Sequence, residues 1–224
     1  MLIQLEHITH AYTLRKLLCD ASLYVNEGEK WGVVGVNGAG KSTLLRLAAG
    51  VEPPQQGAIT RKQGLRTAYL AQNPDFDPAL SVLQQALRYA PPEIRQNKTY
   101  EAKAILTRLG LRDMEASVGV LSGGQRKRIA LAGVLAAPGD LLILDEPTNH
   151  LDHGMVEFLE QWLRGYKGGL LMVTHDRYFL ERVTGRMVEV EGGRLYPYEG
   201  NYQRFLTLKA ERADMQAASL RKRQ

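Results

Sequence analysis

Only one cysteine, Cys19, occurs in the 224 residues. No disulfide can therefore form within the chain, and the reducing cytoplasm is the expected compartment. No apolar run reaches the roughly 20 residues a transmembrane helix requires. The N-terminus lacks the basic, apolar and small-residue order of a signal peptide. These absences point away from direct membrane insertion. No internal repeat is present either, so each motif below occurs once. Charge of one sign is scarce: 29 Lys and Arg against 24 Asp and Glu leave +5, a weak pointer to an acidic partner. The length suits one large domain or two small ones, with a sizeable core.

Against that plain background one stretch stands out. Residues 35–43 read G-V-N-G-A-G-K-S-T, a phosphate-binding loop with Gly35, Gly40, Lys41 and Ser42 at its constrained positions. Glycines let the backbone curl so that successive N–H groups, those of Asn37, Gly38, Ala39 and Thr43 included, face phosphate oxygens. Lys41 reaches the terminal phosphates, and the Ser42 hydroxyl binds Mg²⁺. The apolar run 30–36 predicts a buried strand before the loop, and residues 42–49 predict a helix closed by Gly50. Phosphates then rest on a helix N-terminus, where free N–H groups and the dipole favour negative charge.

The remaining chemistry is placed around this loop. Residues 141–146, L-L-I-L-D-E, predict a buried strand that delivers two carboxylates at its C-terminal end, where ligands of parallel sheets gather. Asp145 is expected to hold Mg²⁺, directly or through water, and Glu146 to orient and deprotonate the attacking water. Gln72 follows a strand at 67–71 and can reach the metal or the water through its amide oxygen. His175 follows a strand at 170–173 and can donate to the γ-phosphate. Residues 121–125, L-S-G-G-Q, open a helix at Ser122, Gly123, Gly124 and Gln125, a second anion site. One nucleotide cannot occupy two helix starts in different subdomains, so a partner's nucleotide is expected to meet this one. Tyr12, read as lying on a loop after a strand at 1–10, could stack on a base.

Other stretches complete the outline. A second strand is read at 21–25, and 52–57 is a turn-rich break before a strand at 58–60. Residues 75–120 read as an inserted helical region with helices at 81–89 and 99–109, N-capped by Ser81 and Thr99. Arg126, Lys127 and Arg128 read as surface charges. Residues 186–191 and 194–198 flank Gly192-Gly193 as a hairpin. The stretch from Gly200 is helical and basic, with Arg204, Lys209, Arg212, Arg221, Lys222 and Arg223 reading as a solvated terminal face.

Taken in order, G-V-N-G-A-G-K-S-T, Gln72, L-S-G-G-Q, L-L-I-L-D-E-P and His175 resemble the nucleotide-binding domain of ATP-binding-cassette proteins, over essentially the whole chain. The resemblance implies an α/β P-loop cassette: a mostly parallel core sheet, an antiparallel β subdomain and a helical subdomain at about 75–137. It also implies ATP with Mg²⁺ sandwiched between two cassettes, the loop of one facing Ser122-Gly123-Gly124 of the other. Tyr12 then resembles the adenine-stacking aromatic, and Asp152 the acid that couples the two sites. E-P-T-N-H-L-D (146–152), T-H-D-R-Y-F-L (174–180) and Y-E-G-N-Y-Q-R-F (198–205) resemble the F subfamily, whose members lack membrane domains and act on ribosomes. On that resemblance residues 1–200 are the first cassette of a longer protein. Residues 201–224 are the start of a basic interdomain linker that approaches transfer RNA. The interval 73–120 is too short for the large helical arm some members carry. The same chemistry would serve the energy-coupling subunit of a membrane transporter. It would also serve a module that binds ATP without turnover, which Glu146 argues against.

Overall fold

A computed structural model describes residues 1–12 and 15–221, apart from the side chains of residues 15 and 219–221. The chain begins with β1 (Ile3–Tyr12), β2 (Arg15–Val25) and β3 (Lys30–Val34), then α1 (Lys41–Ala49), β4 (Gln56–Arg61) and β5 (Thr67–Leu70). Three helices follow: α2 (Val82–Leu87), α3 (Thr99–Arg108) and α4 (Gly123–Ala136). The second half alternates β6 (Leu141–Asp145), α5 (His153–Gly165), β7 (Gly169–Val173) and α6 (Arg177–Val183), and ends with β8 (Arg186–Glu191), β9 (Arg194–Glu199) and α7 (Tyr202–Arg221).

Two sheets result. The larger runs β5-β6-β7-β3-β8-β9, parallel throughout except for β9, which forms the expected hairpin with β8. Every residue of β6 and β7 is buried, as expected of strands covered on both faces. Side-chain alternation divides them. Leu142, Leu144, Leu170 and Met172 join the core shared with α2–α4 and α6. Leu141, Ile143, Leu171 and Val173 join the core beneath α1 and the smaller sheet. That smaller sheet is antiparallel, in the order β2-β1-β4. Within the larger sheet Leu70 pairs with Leu144, Asp145 with Val173, and Val33 with Val173. The C-terminal ends of β5, β6, β7 and β3 therefore lie side by side.

Several boundaries differ from the sequence reading. The first strand extends to Tyr12, which ends a strand rather than lying on a loop, and the second begins at Arg15 rather than Ala21. Their pairing shifts register three times, with His7 and Asp20 at positive φ. Such bulges break the two-residue alternation on which the reading relied. Ser81 caps α2 with a capping box completed by Gln84. Thr99 is not a cap: a 3₁₀ turn at Gln96–Lys98 runs directly into α3, and Lys98 at the cap position makes no side-chain capping bond. Helix α4 is buried almost all round from Ile129 onward, the signature of a central helix. Gly133 lets it cross α2, since a Cβ there would lie 2.4 Å from the Ala86 carbonyl oxygen.

The last helix is docked, not simply solvated. Lys209 and Arg212 of α7 both pair with Glu189 of β8, and Arg212 also reaches Glu191 at 2.6 Å. The Arg212 guanidinium lies 3.8 Å from the centre of the Tyr196 ring, and the Tyr198 hydroxyl donates to Glu189. A buried carboxylate needs such partners. The reading as a free basic face is therefore corrected for Lys209 and Arg212. The Arg221 side chain, Lys222 and Arg223 lie outside the described residues.

Candidate nucleotide site

Between β3 and α1 the chain makes the turn its glycines allow. Gly40 stands at the cap of α1 with φ 109°, and a Cβ there would meet the Leu17 carbonyl oxygen at 2.9 Å. Only glycine suits both constraints. Gly35 has φ 150°, and the Ala39 N–H donates to the Val36 carbonyl, closing the loop. Lys41 is 9% exposed and donates to the carbonyls of Gly35 (2.8 Å) and Val36 (3.1 Å). Burial lowers its pKa, opposed by the charges of Glu146 and Asp145.

A cleft of about 450 Å³ gathers Asn37, Gly38, Gly40, Lys41, Ser42 and Thr43 with Gln72, Asp145, Glu146 and His175. The strand ends account for this convergence: the loop follows β3, Gln72 follows β5, Asp145 and Glu146 end β6, and His175 follows β7. Asp145 is 1% exposed, and neither of its oxygens has a hydrogen-bond partner. Burial raises its pKa. The Ser42 hydroxyl pulls the other way without reaching hydrogen-bond geometry, helped by the charges of Lys127, Arg46 and Lys41. Glu146 is also buried, at φ 53°. That turn takes its side chain off the β6 line while its N–H still donates to the Val173 carbonyl at 2.8 Å. Burial raises the Glu146 pKa too, offset chiefly by His175. His175 approaches Glu146 twice, through its backbone N–H (3.3 Å) and through Nε2 (3.3 Å).

The donor set fits magnesium. Among the described residues no group of three His, Cys, Asp or Glu side chains could hold a metal ion. A cation beside the unpartnered Asp145 carboxylate would take its other ligands from the Ser42 hydroxyl, the Gln72 amide, water and phosphate oxygens. Magnesium, which keeps several waters, is bound in this way.

Other expected site residues lie elsewhere. The Ser122 hydroxyl accepts from the Gln125 N–H (3.2 Å), and the Gln125 side chain accepts from the Ser122 N–H (2.9 Å). This capping box starts α4 outside the nucleotide cleft. Gly123 instead lines a neighbouring cleft with Gln72, Lys127, Asn149 and His150. Asp152 caps α5 through the Met155 N–H. Tyr12 is outside the cleft's lining as well. Its hydroxyl donates to Glu52, and Arg46 lies 5.6 Å from its ring centre.

The cationic run after Gln125 is not a set of free surface charges. Arg126 donates to the Leu121 carbonyl and Arg128 to the Leu109 carbonyl. Lys127 is buried at 8% exposure, close enough to Asp145 and Glu146 to feel both charges. The sequence held a signal for it: Lys127 shares a helix face with Ala130, Leu131 and Val134, all buried. Leu17 also lines the nucleotide cleft, and nothing in the local sequence around it indicated that.

A family model described as ABC transporter matches residues 18–149, and a second with the same description matches residues 188–224. The chain is 38% identical to the uncharacterized ABC transporter ATP-binding protein YfmR of Bacillus subtilis, over 94% of this chain and 39% of that protein. It is 37% identical to the energy-dependent translational throttle protein EttA of Haemophilus influenzae, over 94% of this chain and 45% of that protein. It thus spans less than half the length of these relatives. Among solved structures, an ATP-binding subunit of an ABC transporter superposes with TM-score 0.78 at 24% identity, covering 89% of this chain and 90% of that one. A dimer of the ATP-binding cassette MJ0796, bound to ADP and Pi after hydrolysis, gives TM-score 0.75 at 23% identity, covering 88% and 98%. These likenesses establish the fold.

Proposed function

Because the chain belongs to the ATP-binding-cassette (ABC transporter) family, we propose that it is an ATP-hydrolysing cassette that works only when paired, in a cytoplasmic protein that acts on ribosomes. The observation that carries the pairing is the separation of two phosphate-ready helix starts. The N-terminus of α1 sits in the cleft with Asp145, Glu146, Gln72 and His175, whereas Ser122 and Gly123 open α4 outside it. A triphosphate held by one start leaves the other for the triphosphate of a second cassette, in the same full-length chain or in another copy.

Within the cleft each residue has a task its geometry suits. Loop N–H groups and Lys41 bind the phosphates, and Ser42, Gln72 and Asp145 hold the metal. A bound magnesium ion would neutralise charge on the phosphate oxygens. Glu146 takes the proton of the attacking water. Burial raises its pKa and makes it a stronger base, while His175 keeps the carboxylate oriented. Ser122, Gly123, Gly124 and Gln125 present their helix start to the partner's nucleotide, and Asp152 stands beside that interface. Tyr12 stacks on the base. Residues 1–200 form the cassette, with a helical part at about 75–137, and residues 201–224 begin the linker.

The ribosomal role is supported by the relatives named as translational throttle proteins and by the motifs at 146–152, 174–180 and 198–205. No helix among the described residues is long and apolar enough to cross a membrane. Ribosomal and transfer RNA are therefore the proposed partners. The test is Glu146→Gln in the full-length protein. Turnover should fall by about 10²–10⁴-fold, and the protein should sediment with ribosomes when ATP is present and not without it. Unchanged turnover would remove the base. Sedimentation with membranes instead would favour a transporter subunit.

A further inference from the structure

A single side chain ties Tyr12 to the wall of the nucleotide cleft. Arg46 lies on α1, one turn after Thr43, and Thr43 lines the cleft. The Nη2 group of Arg46 donates to the Tyr12 hydroxyl at 2.9 Å and to the Thr43 hydroxyl at 3.3 Å. Two hydrogen bonds therefore separate the phenol from the cleft. Nε of the same guanidinium donates to Glu52 at 3.0 Å, both side chains being partly buried. Glu52 in turn accepts from the Tyr12 hydroxyl at 2.6 Å. Buried His10 completes the bracket: its ring meets the Tyr12 ring edge-on at 5.1 Å, and its Nε2 lies 3.9 Å from Glu52. The backbone is gripped from the same segment. Gln55 accepts from the Ala11 N–H at 3.0 Å and donates to the Ala11 carbonyl at 2.9 Å. Tyr12 itself is 41% exposed. A side chain that open ordinarily gives up rotamer freedom when a ligand settles on it, which weakens binding. Here the hydroxyl is already bonded to an anion and a cation, so the ordering is complete before any ligand arrives.

We propose that Arg46 and Glu52 are positioning residues for the nucleotide base: through the phenolic hydroxyl they fix the Tyr12 ring in the orientation on which the base stacks. The assignment rests on the ATP-binding reading above, with Tyr12 as the stacking residue. Both residues act through Tyr12 rather than on the nucleotide. Because one nitrogen of Arg46 holds Thr43 as well, the base platform and the phosphate loop keep a set distance from each other. A nucleoside triphosphate then meets two preformed surfaces in register, and its base contributes affinity with little ordering left to do.

The test compares two probes by calorimetry on the full-length protein: ATP, which carries a base, and inorganic tripolyphosphate, which does not. Mg²⁺ is left out so that neither is turned over. Glu52→Ala removes the acceptor, and Tyr12→Phe keeps the ring but removes the hydroxyl. Each should weaken ATP binding about three- to tenfold, the worth of one hydrogen bond, and leave tripolyphosphate affinity unchanged. Glu52→Gln, which can still accept from the phenol, should restore most of the ATP affinity. The losses should not add: Glu52→Ala should cost nothing further in the Tyr12→Phe background. ATP affinity unchanged in both single variants would overturn the proposal. So would an equal loss for ATP and tripolyphosphate in Glu52→Ala, which would make the bracket a support of α1 and the phosphate loop. Tyr12→Ala separates this failure from that of the reading beneath it. If it weakens ATP no more than tripolyphosphate, the stacking role fails and takes the proposal with it. If it weakens ATP selectively while Glu52→Ala and Tyr12→Phe do not, stacking stands and only the positioning is lost.

Discussion

Arg212→Ala should detach the final helix from the cassette at a cost that can be worked out from its contacts. The guanidinium reaches Glu189 at 3.0 Å and Glu191 at 2.6 Å, with side-chain exposures of 18% for Arg212 and 4% for Glu189. It also lies over the Tyr196 ring. Breaking a buried ion pair by removing one partner costs about 3–5 kcal/mol, because the other charge stays buried. Here Lys209 and the Tyr198 hydroxyl still serve Glu189. Two Arg212 nitrogens, Nε and Nη1, are buried without partners, which already weakens the native arrangement. Both facts move the figure down, to about 2–3 kcal/mol with the ring contact included. A domain of this size loses about 2–4 °C per kcal/mol, so the melting temperature should fall by about 5–10 °C. Thermal unfolding followed by circular dichroism measures it. The double variant Glu189→Gln/Arg212→Ala should lose less than the sum of the two single variants, since it removes the stranded charge. An Arg212→Ala protein within about 1 kcal/mol of wild type, the range of exposed pairs, would refute the reasoning. Strict additivity in the cycle would also refute it.

Two further outcomes are expected. Burial raises the pKa of Asp145 above its ordinary 3.8, so the folded protein binds more protons than the unfolded chain just above that value. Stability conferred by the protonated form is lost as pH rises through the raised pKa. Asp145→Asn should therefore melt higher than wild type at neutral pH without nucleotide, with the gap closing as pH falls toward 3.8; a lower melting temperature at neutral pH would contradict this. Ser122→Ala removes the cap of α4, at about 1 kcal/mol. It should weaken ATP-driven pairing in analytical ultracentrifugation while ATP binding to a single cassette persists, and undiminished pairing would argue against a role for this helix start.

What the sequence determined by itself was local. Gly35 to Thr43 dictate a glycine turn into a helix through the backbone freedom of consecutive residues. The apolar runs ending at Asp145 and Val173 dictate buried strands because the cost of burying polar backbone is met by pairing. Residues whose work depends only on near neighbours in the chain, such as Ser81 and Ser122 at helix starts, were legible for the same reason. Strand order was not, and it is strand order that brings Gln72, Glu146 and His175 to one cleft from positions as much as a hundred residues apart in the chain. The bulges of β1 and β2 escaped a reading based on strict alternation. Arg212 escaped it because a charged side chain looks the same in sequence whether it faces water or a carboxylate, and Lys127 because its apolar helix face was read as ordinary surface charge. Only the packing of α4 against the sheet, and of α7 against β8 and β9, removes the water and so decides what those charges are for.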